Sequence, residues 1–342
     1  MQYLSEFIQN INTSKNVVII SHIGPDGDTL GSTLALCEAL KTVKNIEKID
    51  CIINGKLPDI YKFLPGIKEM KTPYDESLYG KYDLAISVDC AALDRMGDAL
   101  PFFKKASKTI NIDHHVTGQK FGDVNIIYPD ASSSGEVMFD LFRALDFEIT
   151  KDIAVCLYTA ILTDTGGFRF SNTTSKTFEA AKYLVDKGIS PSLVYKKCYE
   201  SKPIAMFKLH NYALDNTVFE EGEKIAYTMV SRGTLKKFGA DDDHIDGIVE
   251  ALKQIDSVEI AMVLKETLKG ETKISFRSKE INVAKIAQFF GGGGHDLAAG
   301  CTISKPLGEA LDELLPIVKK QVRKHYGVHN SKIGRASCRK RV

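Results

Sequence analysis

Short β-rich apolar runs alternate with amphipathic stretches through the first half of the sequence. The apolar runs predict strands at 17–21, 48–53, 82–89 and 109–113, and the amphipathic stretches predict helices at 29–43 and 133–145. Strands and helices in alternation are typical of an α/β fold, with a mainly parallel sheet flanked by helices. Because ligands bind beyond the carboxyl ends of such strands, polar residues at those ends are the first candidates for a functional site.

Breaks in the second half of the sequence predict a second, smaller domain. A helical stretch is interrupted at Gly188 and Pro191, so we expect a first domain over 1–188 and a helical connector over 189–216. A smaller α/β domain is expected over 217–326, with strands near 224–230, 258–266 and 272–277 and helices near 243–254, 282–290 and 307–326. A length of 342 residues suits about two domains.

The charge balance limits the kinds of partner. With 45 basic and 44 acidic side chains the formal net charge is +1, which predicts no bulk attraction to duplex nucleic acid or to a membrane. The opening MQYLSEFIQN lacks a basic region and a long apolar stretch, so neither a signal peptide nor a membrane span is expected. Seven cysteines without paired spacing favour free thiols in a reducing cytoplasm.

The end of the chain is strongly basic. SKIGRASCRKRV carries five basic side chains and no acid from Lys332 onward. We expect residues 327–342 to be a disordered tail, in preference to a phosphate-binding one, and assign it no role.

The segment HIGPDGDTLGS, residues 22–32, directly follows the first apolar run. Charged groups at the end of a buried strand must be solvated, paired or bound to a positive group. Taken alone, the segment favours a turn at PDG, with Asp28 as a cap for a helix that starts at Thr29. Its glycines also permit a sharp turn that points His22, Asp26 and Asp28 into one cavity.

Three later segments place further polar residues at comparable positions. Asp89 ends the apolar run of the third strand, and Asp113, His114 and His115 follow the fourth strand directly. Consecutive histidines at a strand end have no packing rationale, so this segment favours function over structure. Asp164 ends a markedly apolar helix, where a carboxylate is expected to have a partner.

Together these segments offer six metal ligands: His22, Asp26, Asp28, Asp89, His114 and Asp164. Six ligands are too many for one transition metal and enough for two cations that share a carboxylate. Imidazole mixed with carboxylate suits manganese better than magnesium or calcium, and the absence of thiolates disfavours structural zinc. The pattern therefore predicts two cations about 3.5–4 Å apart, an arrangement suited to phosphoryl chemistry.

The four segments resemble motifs one to four of the DHH phosphoesterase superfamily, with Asp113-His114-His115 as the signature. A fifth segment, FRSKEINVAKIAQFFGGGGHDLAAGC, is similar to the substrate-binding element of the DHHA1 domain. Together they resemble the nanoRNase and pAp-phosphatase subfamily, which includes phosphodiesterases of cyclic-di-AMP and its linear product pApA. The resemblance spans roughly residues 15–325 and implies a DHH domain over 1–188 and a DHHA1 domain over 217–326.

The resemblance implies a role for each ligand. Asp89 would bridge two Mn²⁺ ions, with His22 and Asp26 completing one site and Asp28, His114 and Asp164 the other. The ions would activate a water for in-line attack on phosphorus, and Asp89 and His115 are the expected catalytic residues. His115 would neutralise charge on the phosphoryl oxygens, and Asp113 would orient a neighbouring ligand.

The fifth segment predicts a phosphate-binding lid in the second domain. Glycines 291–294 leave backbone amides open to an anion, and Arg277 can bind a phosphate through two hydrogen bonds. The expected substrate contacts are His115, Arg277, Ser278, Gly293, Gly294 and His295. After the glycines, Asp296-Leu297 replaces the proline and small polar residue of many relatives, which leaves the effect on substrate preference open.

These features predict a manganese-dependent phosphoesterase that cleaves short RNA or pApA to 5′-mononucleotides and converts pAp to AMP. The alternatives are a cyclic-di-AMP phosphodiesterase, more distantly an inorganic pyrophosphatase, and, in another class, a catalytically silent nucleotide sensor. A homodimer is expected from the resemblance. The sequence does not rank pAp, pApA, cyclic-di-AMP and RNA of three to five nucleotides. Residues 132–134 with Glu136 could contact a phosphate, but Ser133 and Glu136 have capping-box spacing, so we interpret them as a helix cap. Arg169 and Asn172 are left unassigned.

Overall fold

The computed structural model describes residues 2–78 and 80–327. It divides the chain into two compact units, with the boundary between Ser201 and Lys202. The basic tail after residue 327 lies outside the described residues. Within the described part, no helix combines the length and the apolar character needed to cross a membrane.

The first unit alternates strands and helices in the predicted order. Its strands are β1 (Asn16–Ile23), β2 (Lys48–Asn54), β3 (Leu84–Val88), β4 (Lys108–Asp113) and β5 (Val124–Ile127). Its helices are α1 (Gln2–Thr13), α2 (Gly27–Leu40), α3 (Leu100–Lys105), α4 (Ser134–Ala144), α5 (Lys151–Asp164), α6 (Ser175–Asp186) and α7 (Pro191–Tyr199). The sequence patterns predicted neither α1 nor β5.

The five strands form one parallel sheet in the order β2-β1-β3-β4-β5, which confirms the predicted fold class. In β1, Val17 and Ile19 pack into one apolar cluster, and Val18 and Ile20 pack into another on the opposite face. A strand buried on both faces accounts for the unbroken apolar run that precedes His22. The sheet register brings the ends of β1, β3 and β4 to one edge.

Helices α2 and α5 pack closely against each other over this sheet. At Gly31 in α2, an added Cβ would lie 2.3 Å from the carbonyl oxygen of Cys156 in α5, so no larger residue fits without a shift. This close approach brings Asp28 near the start of α2 to the side of Asp164 at the end of α5.

Two details of the helices differ from the expectations. Helix α2 begins at Gly27 with Asp26 as its N-cap, so Asp28 is not the cap of a helix that starts at Thr29. The helix expected over 243–254 is a 3₁₀ turn (Asp242–Ile245) followed by α10 (Ile248–Lys253). Of the two residues between them, Gly247 has a φ of +93°, which no α-helix accommodates.

The second unit contains a mixed sheet in the order β10-β11-β9-β8-β7-β6. Its strands are β6 (Val218–Glu220), β7 (Ile225–Val230), β8 (Ile260–Glu266), β9 (Thr272–Ser278), β10 (Gly293–His295) and β11 (Ala298–Ile303). Its helices are α8 (Ile204–Asp215), α9 (Arg232–Phe238), α10, α11 (Ala284–Phe289) and α12 (Leu307–His325). Strands β8 and β9 form the predicted hairpin around Gly270.

The predicted connector at 189–216 is divided between the units. Helix α7 packs against α5 of the first unit, and α8 packs against α9 and α10 of the second. The buried Val194 of α7 belongs to the core of the first unit. The buried Leu209 of α8 belongs to a core of the second unit. Each helix has its own apolar face to bury, and each buries it against the nearest core.

Candidate metal centre

The carboxyl ends of three neighbouring strands place polar side chains together. His22 lies at the end of β1, Asp89 follows β3, and His114 follows β4. Asp26 and Asp28 join them from the start of α2, and Asp164 joins them from the end of α5. The structure thus brings all six predicted ligands together in the first unit.

The first cluster consists of His22, Asp26 and Asp89, each offering one ligand atom within 4.8 Å of the others. Nε2 of His22 lies 3.4 Å from Oδ2 of Asp89 and 3.8 Å from Oδ2 of Asp26. The Nδ1 atom lies 2.9 Å from the carbonyl oxygen of Ile23. This second contact fixes the ring with Nε2 directed toward the two carboxylates.

The second cluster consists of Asp28, His114 and Asp164. Nε2 of His114 lies 3.7 Å from Oδ2 of Asp28 and 3.5 Å from Oδ2 of Asp164. Its Nδ1 atom lies 3.3 Å from the carbonyl oxygen of Ala131. The ring is therefore held in the same manner as that of His22, by a backbone carbonyl on the far side.

Asp89 lies between the two clusters. Its Oδ2 atom faces His22, while its Oδ1 atom is 3.7 Å from Nε2 of His114. The backbone of Asp89 has a φ of +62°, in the left-handed region that non-glycine residues rarely adopt. Its amide donates to the carbonyl oxygen of Ile112 at the end of β4, which helps to hold this strained conformation.

Asp113 and His115 form a pair beside Asp89, and His115 also offers a ligand atom within 4.8 Å of Asp89 and His114. Nδ1 of His115 lies 2.7 Å from Oδ1 of the fully buried Asp113 and 3.6 Å from Oδ1 of Asp89. Burial lowers the pKa of His115, but Asp113 and Asp89 outweigh it and raise the pKa overall. Asp113 therefore orients His115, whereas the sequence analysis expected it to orient a neighbouring metal ligand.

The electrostatics of the centre favour a bound cation. Burial and the neighbouring carboxylates raise the pKa of Asp28 well above its usual range and that of Asp164 to about 7. Burial opposes protonation of His22, yet Asp26 and Asp89 raise its pKa to about 10. Buried carboxylates this close together require positive charge among them, and the donors are nitrogen and oxygen only. The donor set therefore fits divalent cations.

The start of α4 makes contacts with the candidate ligands that the sequence did not predict. Ser133 caps this helix, as predicted, by accepting a hydrogen bond from the amide of Glu136 at 3.0 Å. The Glu136 carboxylate does not complete a capping box and accepts hydrogen bonds from Ser132 and Thr177 instead. The next residue, Ser134, donates its amide to Asp28 and its hydroxyl to Asp89. A serine that follows a cap gives no sequence signal for such a role.

Two further residues that the sequence left without a role contact the clusters. Nδ2 of Asn172 lies 3.2 Å from the carbonyl oxygen and 3.5 Å from Oδ2 of Asp164. Nη2 of Arg95 lies 3.3 Å from Nδ1 of His22. Sequence spacing gives no reason to select Arg95, because it reaches His22 only through the fold of the segment after β3.

The predicted phosphate-binding residues of the second unit are arranged around β9 and β10. Arg277 forms an ion pair with Glu250 at 2.9 Å. Ser278 is fully buried and donates its hydroxyl to Glu259 at 2.9 Å. The expectation that Ser278 contacts substrate therefore needs correction, because its side chain stabilises the unit and is closed to solvent.

The glycine run has a structural reason at two positions. An added Cβ on Gly292 would lie 2.2 Å from the carbonyl oxygen of Gly300, and one on Gly294 would lie 2.5 Å from that of Ala298. Gly293 has nothing within 4 Å of such a Cβ and is exposed. Close strand packing thus accounts for Gly292 and Gly294, whereas Gly291, which has a φ of +72°, and Gly293 both face open space. Gly293, Gly294 and His295 together form β10.

Comparison with known families matches both halves of the chain. Residues 16–161 match the DHH family, N-terminal domain, and residues 222–324 match the DHHA1 domain. The bifunctional oligoribonuclease and PAP phosphatase NrnA of Thermus thermophilus is 29% identical over 309 residues, which cover 90% of each chain. The cyclic-di-AMP phosphodiesterase GdpP of Bacillus subtilis is 26% identical, over 89% of this chain and 47% of that protein.

A solved structure has a similar fold over nearly the whole chain. The crystal structure of an exopolyphosphatase-related protein from Bacteroides fragilis is matched with a TM-score of 0.87 at 27% identity. The match covers 96% of this chain and 97% of that one. The order of the two domains is therefore shared with a solved protein from end to end.

Proposed function

The chain belongs to the DHH/DHHA1 phosphoesterase superfamily, and from this premise we propose that it is a manganese-dependent hydrolase of short oligoribonucleotides. Linear dinucleotides such as pApA would yield 5′-mononucleotides, and pAp would yield AMP. The relatives named oligoribonuclease and PAP phosphatase support this substrate class.

The observation that carries the proposal is the position of Asp89 between two clusters. One of its oxygens faces His22 and the other faces His114, so a single carboxylate reaches both candidate sites. Two adjoining sites of mixed imidazole and carboxylate donors suit a pair of Mn²⁺ ions.

The reaction follows from these groups. Bound at the two clusters, divalent cations would lower the pKa of a bound water towards neutrality and offset charge on the phosphoryl oxygens. Asp113 holds Nδ1 of His115 and so presents the ring's other edge. We propose that this edge donates a hydrogen bond to a phosphoryl oxygen, where negative charge grows during the displacement. Because Asp113 is fully buried, this orientation is protected from water.

The second unit supplies candidate contacts for the rest of the substrate. We propose that Arg277, Gly293, Gly294 and His295 bind a phosphate or base outside the scissile bond, with Arg277 exchanging Glu250 for phosphate oxygens. Ser278 is not among these contacts because its hydroxyl is held by Glu259. Competition from Glu250 makes this contact weaker than that of an unpaired arginine.

Release of 5′-AMP from pApA, measured with and without Mn²⁺, tests the proposed function. We expect turnover only with the metal, and loss of at least 10³-fold in the Asp89→Ala variant, on the order expected for removal of a shared catalytic ligand. Absence of turnover in protein that binds Mn²⁺ would overturn the proposal. The same assay with cyclic-di-AMP examines the alternative that the relative GdpP supports.

A catalytically silent nucleotide sensor is the alternative from another class. A sensor would be expected to have lost at least one ligand, whereas all six predicted side chains lie in the two clusters. Normal dinucleotide binding by Asp89→Ala, together with no hydrolysis by either protein, would favour the sensor. We further propose that the protein is a homodimer, and analytical ultracentrifugation would measure its oligomeric state. We also propose that it acts in the cytoplasm, where the six described cysteines would stay free thiols.

A further inference from the structure

The segment 131–135, which leads into α4, holds two carboxylates of the centre directly. The amides of Ser134 and Gly135 donate to Oδ2 and Oδ1 of Asp28 at 2.7 and 2.9 Å. The hydroxyl of Ser134 donates to Oδ1 of Asp89 at 2.9 Å. Asp28, Asp89 and Ser134 are all buried, so these bonds are not in competition with bulk water.

The same segment also reaches the other two members of the second cluster. The carbonyl oxygen of Ala131 lies 3.3 Å from Nδ1 of His114. The carbonyl oxygen of Ser132 accepts a hydrogen bond from Nδ2 of Asn172 at 2.8 Å, and that nitrogen also contacts Asp164. Within five consecutive residues, the segment therefore contacts Asp28 and His114 directly and Asp164 through Asn172.

Glu136 anchors the segment from behind. Its carboxylate is buried and accepts hydrogen bonds from the hydroxyl of Ser132 and, at 2.8 Å, from that of Thr177 at the start of α6. No lysine or arginine pairs with Glu136 among the ion pairs of the described residues. A buried carboxylate satisfied by hydroxyls fixes the backbone on which Ser132 and Ser134 are carried.

The first cluster is held differently. His22 contacts the carbonyl oxygen of Ile23, and Asp26 accepts hydrogen bonds from the amides of Asp28 and Thr29 within its own turn. Over residues 2–78 and 80–327, neither His22 nor Asp26 forms a hydrogen bond with the segment 131–135. The two clusters therefore have different supports, and they are joined at Asp89 and by the hydrogen bond from the Asp28 amide to Asp26.

We infer that the segment 131–135 is the positioning element of the second cluster, and that Ser134 couples Asp28 to Asp89. The inference rests on the proposed metal centre. By occupying one side of Oδ1 of Asp89, the Ser134 hydroxyl fixes the rotation of that carboxylate, so that Oδ1 faces His114 and Oδ2 faces His22. Ser134 is a positioning residue, because it acts on the centre through Asp28 and Asp89.

A calorimetric titration of the metal-free protein with Mn²⁺ alone tests this inference. We expect two binding steps, and we expect Ser134→Ala to weaken one of them by about 10–100-fold, the usual effect of removing a group that orients a ligand. The matched control is Ser190→Ala, which removes the cap of another helix, α7, and leaves the segment 131–135 unchanged. It should leave both affinities unchanged.

Variants of the two histidines assign the weakened step. In a His22→Ala background, Ser134→Ala should still weaken the remaining step by the full factor, whereas in a His114→Ala background the loss should be smaller, because Ser134 then acts only through the shared Asp89. Asn172→Ala, which acts on Asp164, should weaken the same step, and it carries the test if Ser134→Ala does not fold. Equal weakening of both steps, or the same loss in Ser190→Ala, would overturn the inference.

The outcome is independent of turnover. A selective loss of Mn²⁺ affinity in Ser134→Ala supports the positioning role even if the wild-type protein cleaves no dinucleotide, which would contradict only the proposed function. Conversely, full activity toward pApA with unchanged Mn²⁺ affinities in Ser134→Ala and Asn172→Ala would overturn the positioning role and leave the proposed function intact.

Discussion

The Nδ1 atom of His115 lies 2.7 Å from Oδ1 of Asp113, a carboxylate fully buried at the end of β4. A carboxylate in this position selects the tautomer of the ring with its proton on Nδ1 and fixes the direction of the other ring nitrogen. The two residues therefore work as one unit at the edge of the metal centre.

Replacing Asp113 with asparagine should disturb that unit while keeping its size. We expect Asp113→Asn to lower kcat for pApA by about 10–100-fold, with a smaller change in KM, because the amide no longer selects the tautomer. Steady-state kinetics at saturating Mn²⁺ would measure the effect. Asp123→Asn is the matched control. Asp123 accepts hydrogen bonds from the amide and hydroxyl of Thr109, which lies at the opposite end of β4 from Asp113. Equal losses in both variants would contradict the role of Asp113.

Mn²⁺ binding should release more protons at acidic pH. With a pKa of about 10, His22 is protonated at neutral pH in the absence of metal, and Asp164 gains a proton below its pKa of about 7. A ligand must lose its proton before it binds the metal. As the pH is lowered, the affinity for Mn²⁺ should therefore fall more steeply below about pH 7 than above it. Calorimetry in buffers of different ionisation enthalpy should show about one more proton released at pH 6 than at pH 8. Equal release at both pH values would contradict this assignment.

Neutralising Asp164 should stabilise the metal-free protein. Because the folded state raises the pKa of Asp164 to about 7, its stability declines as pH rises from about 4 to 7, and the full cost is present at pH 8. Asp164→Asn should therefore raise the free energy of unfolding at pH 8 by on the order of 1–3 kcal/mol, while the stabilisation by Mn²⁺ bound at the second cluster is lost.

Thermal melts of the same variant with and without Mn²⁺ would measure both effects. Asp186→Asn serves as a control, because Asp186 is 62% exposed and pairs with Lys182 on the surface. A lower melting temperature for metal-free Asp164→Asn at pH 8 would show that charge crowding does not govern this site.

Arg277 and Glu250 should have opposite effects on substrate affinity. We expect Arg277→Ala to raise KM for pAp by about 10–100-fold, the loss typical of a charged hydrogen bond. Glu250→Gln should lower KM by about 2–5-fold, because it removes a competitor whose half-buried ion pair is worth at most about 1 kcal/mol. Competition assays with inorganic phosphate would support the kinetics. A rise in KM for Glu250→Gln would show that the ion pair positions Arg277 for its ligand.

Ser278 should affect stability and leave the kinetics unchanged. Its buried hydroxyl donates to Glu259, which also accepts hydrogen bonds from the amides of Glu280 and Ile281. Ser278→Ala should lower the free energy of unfolding by about 1–3 kcal/mol and leave KM for pAp and pApA within about twofold. Urea denaturation and steady-state kinetics would test this expectation. A large rise in KM without loss of stability would restore Ser278 as a substrate contact.

The sequence alone predicted the fold class, which the structure confirms, and the six side chains that the structure brings together as candidate ligands. A strand buried on both faces must be apolar throughout, so β1, β3 and β4 were visible as runs, and parallel strands end at one edge. Polar residues directly after such runs, including His22, Asp89 and His114, were therefore expected to meet. Asp164 could be selected because a carboxylate that ends an apolar helix needs a partner.

Only the tertiary structure decided which side chain lies between the two clusters, which residues support the candidate ligands, and which predicted contact is buried away from solvent. Ser134 contacts Asp28, which is 106 positions away in the sequence, and Asp89, which is 45 positions away. Arg95 contacts His22 across 73 positions of sequence. The burial of Ser278 against Glu259 likewise depends on how β8 and β9 pair. Local patterns record which face of a strand or helix is buried, whereas these contacts depend on how separate elements pack, which no short stretch of sequence specifies.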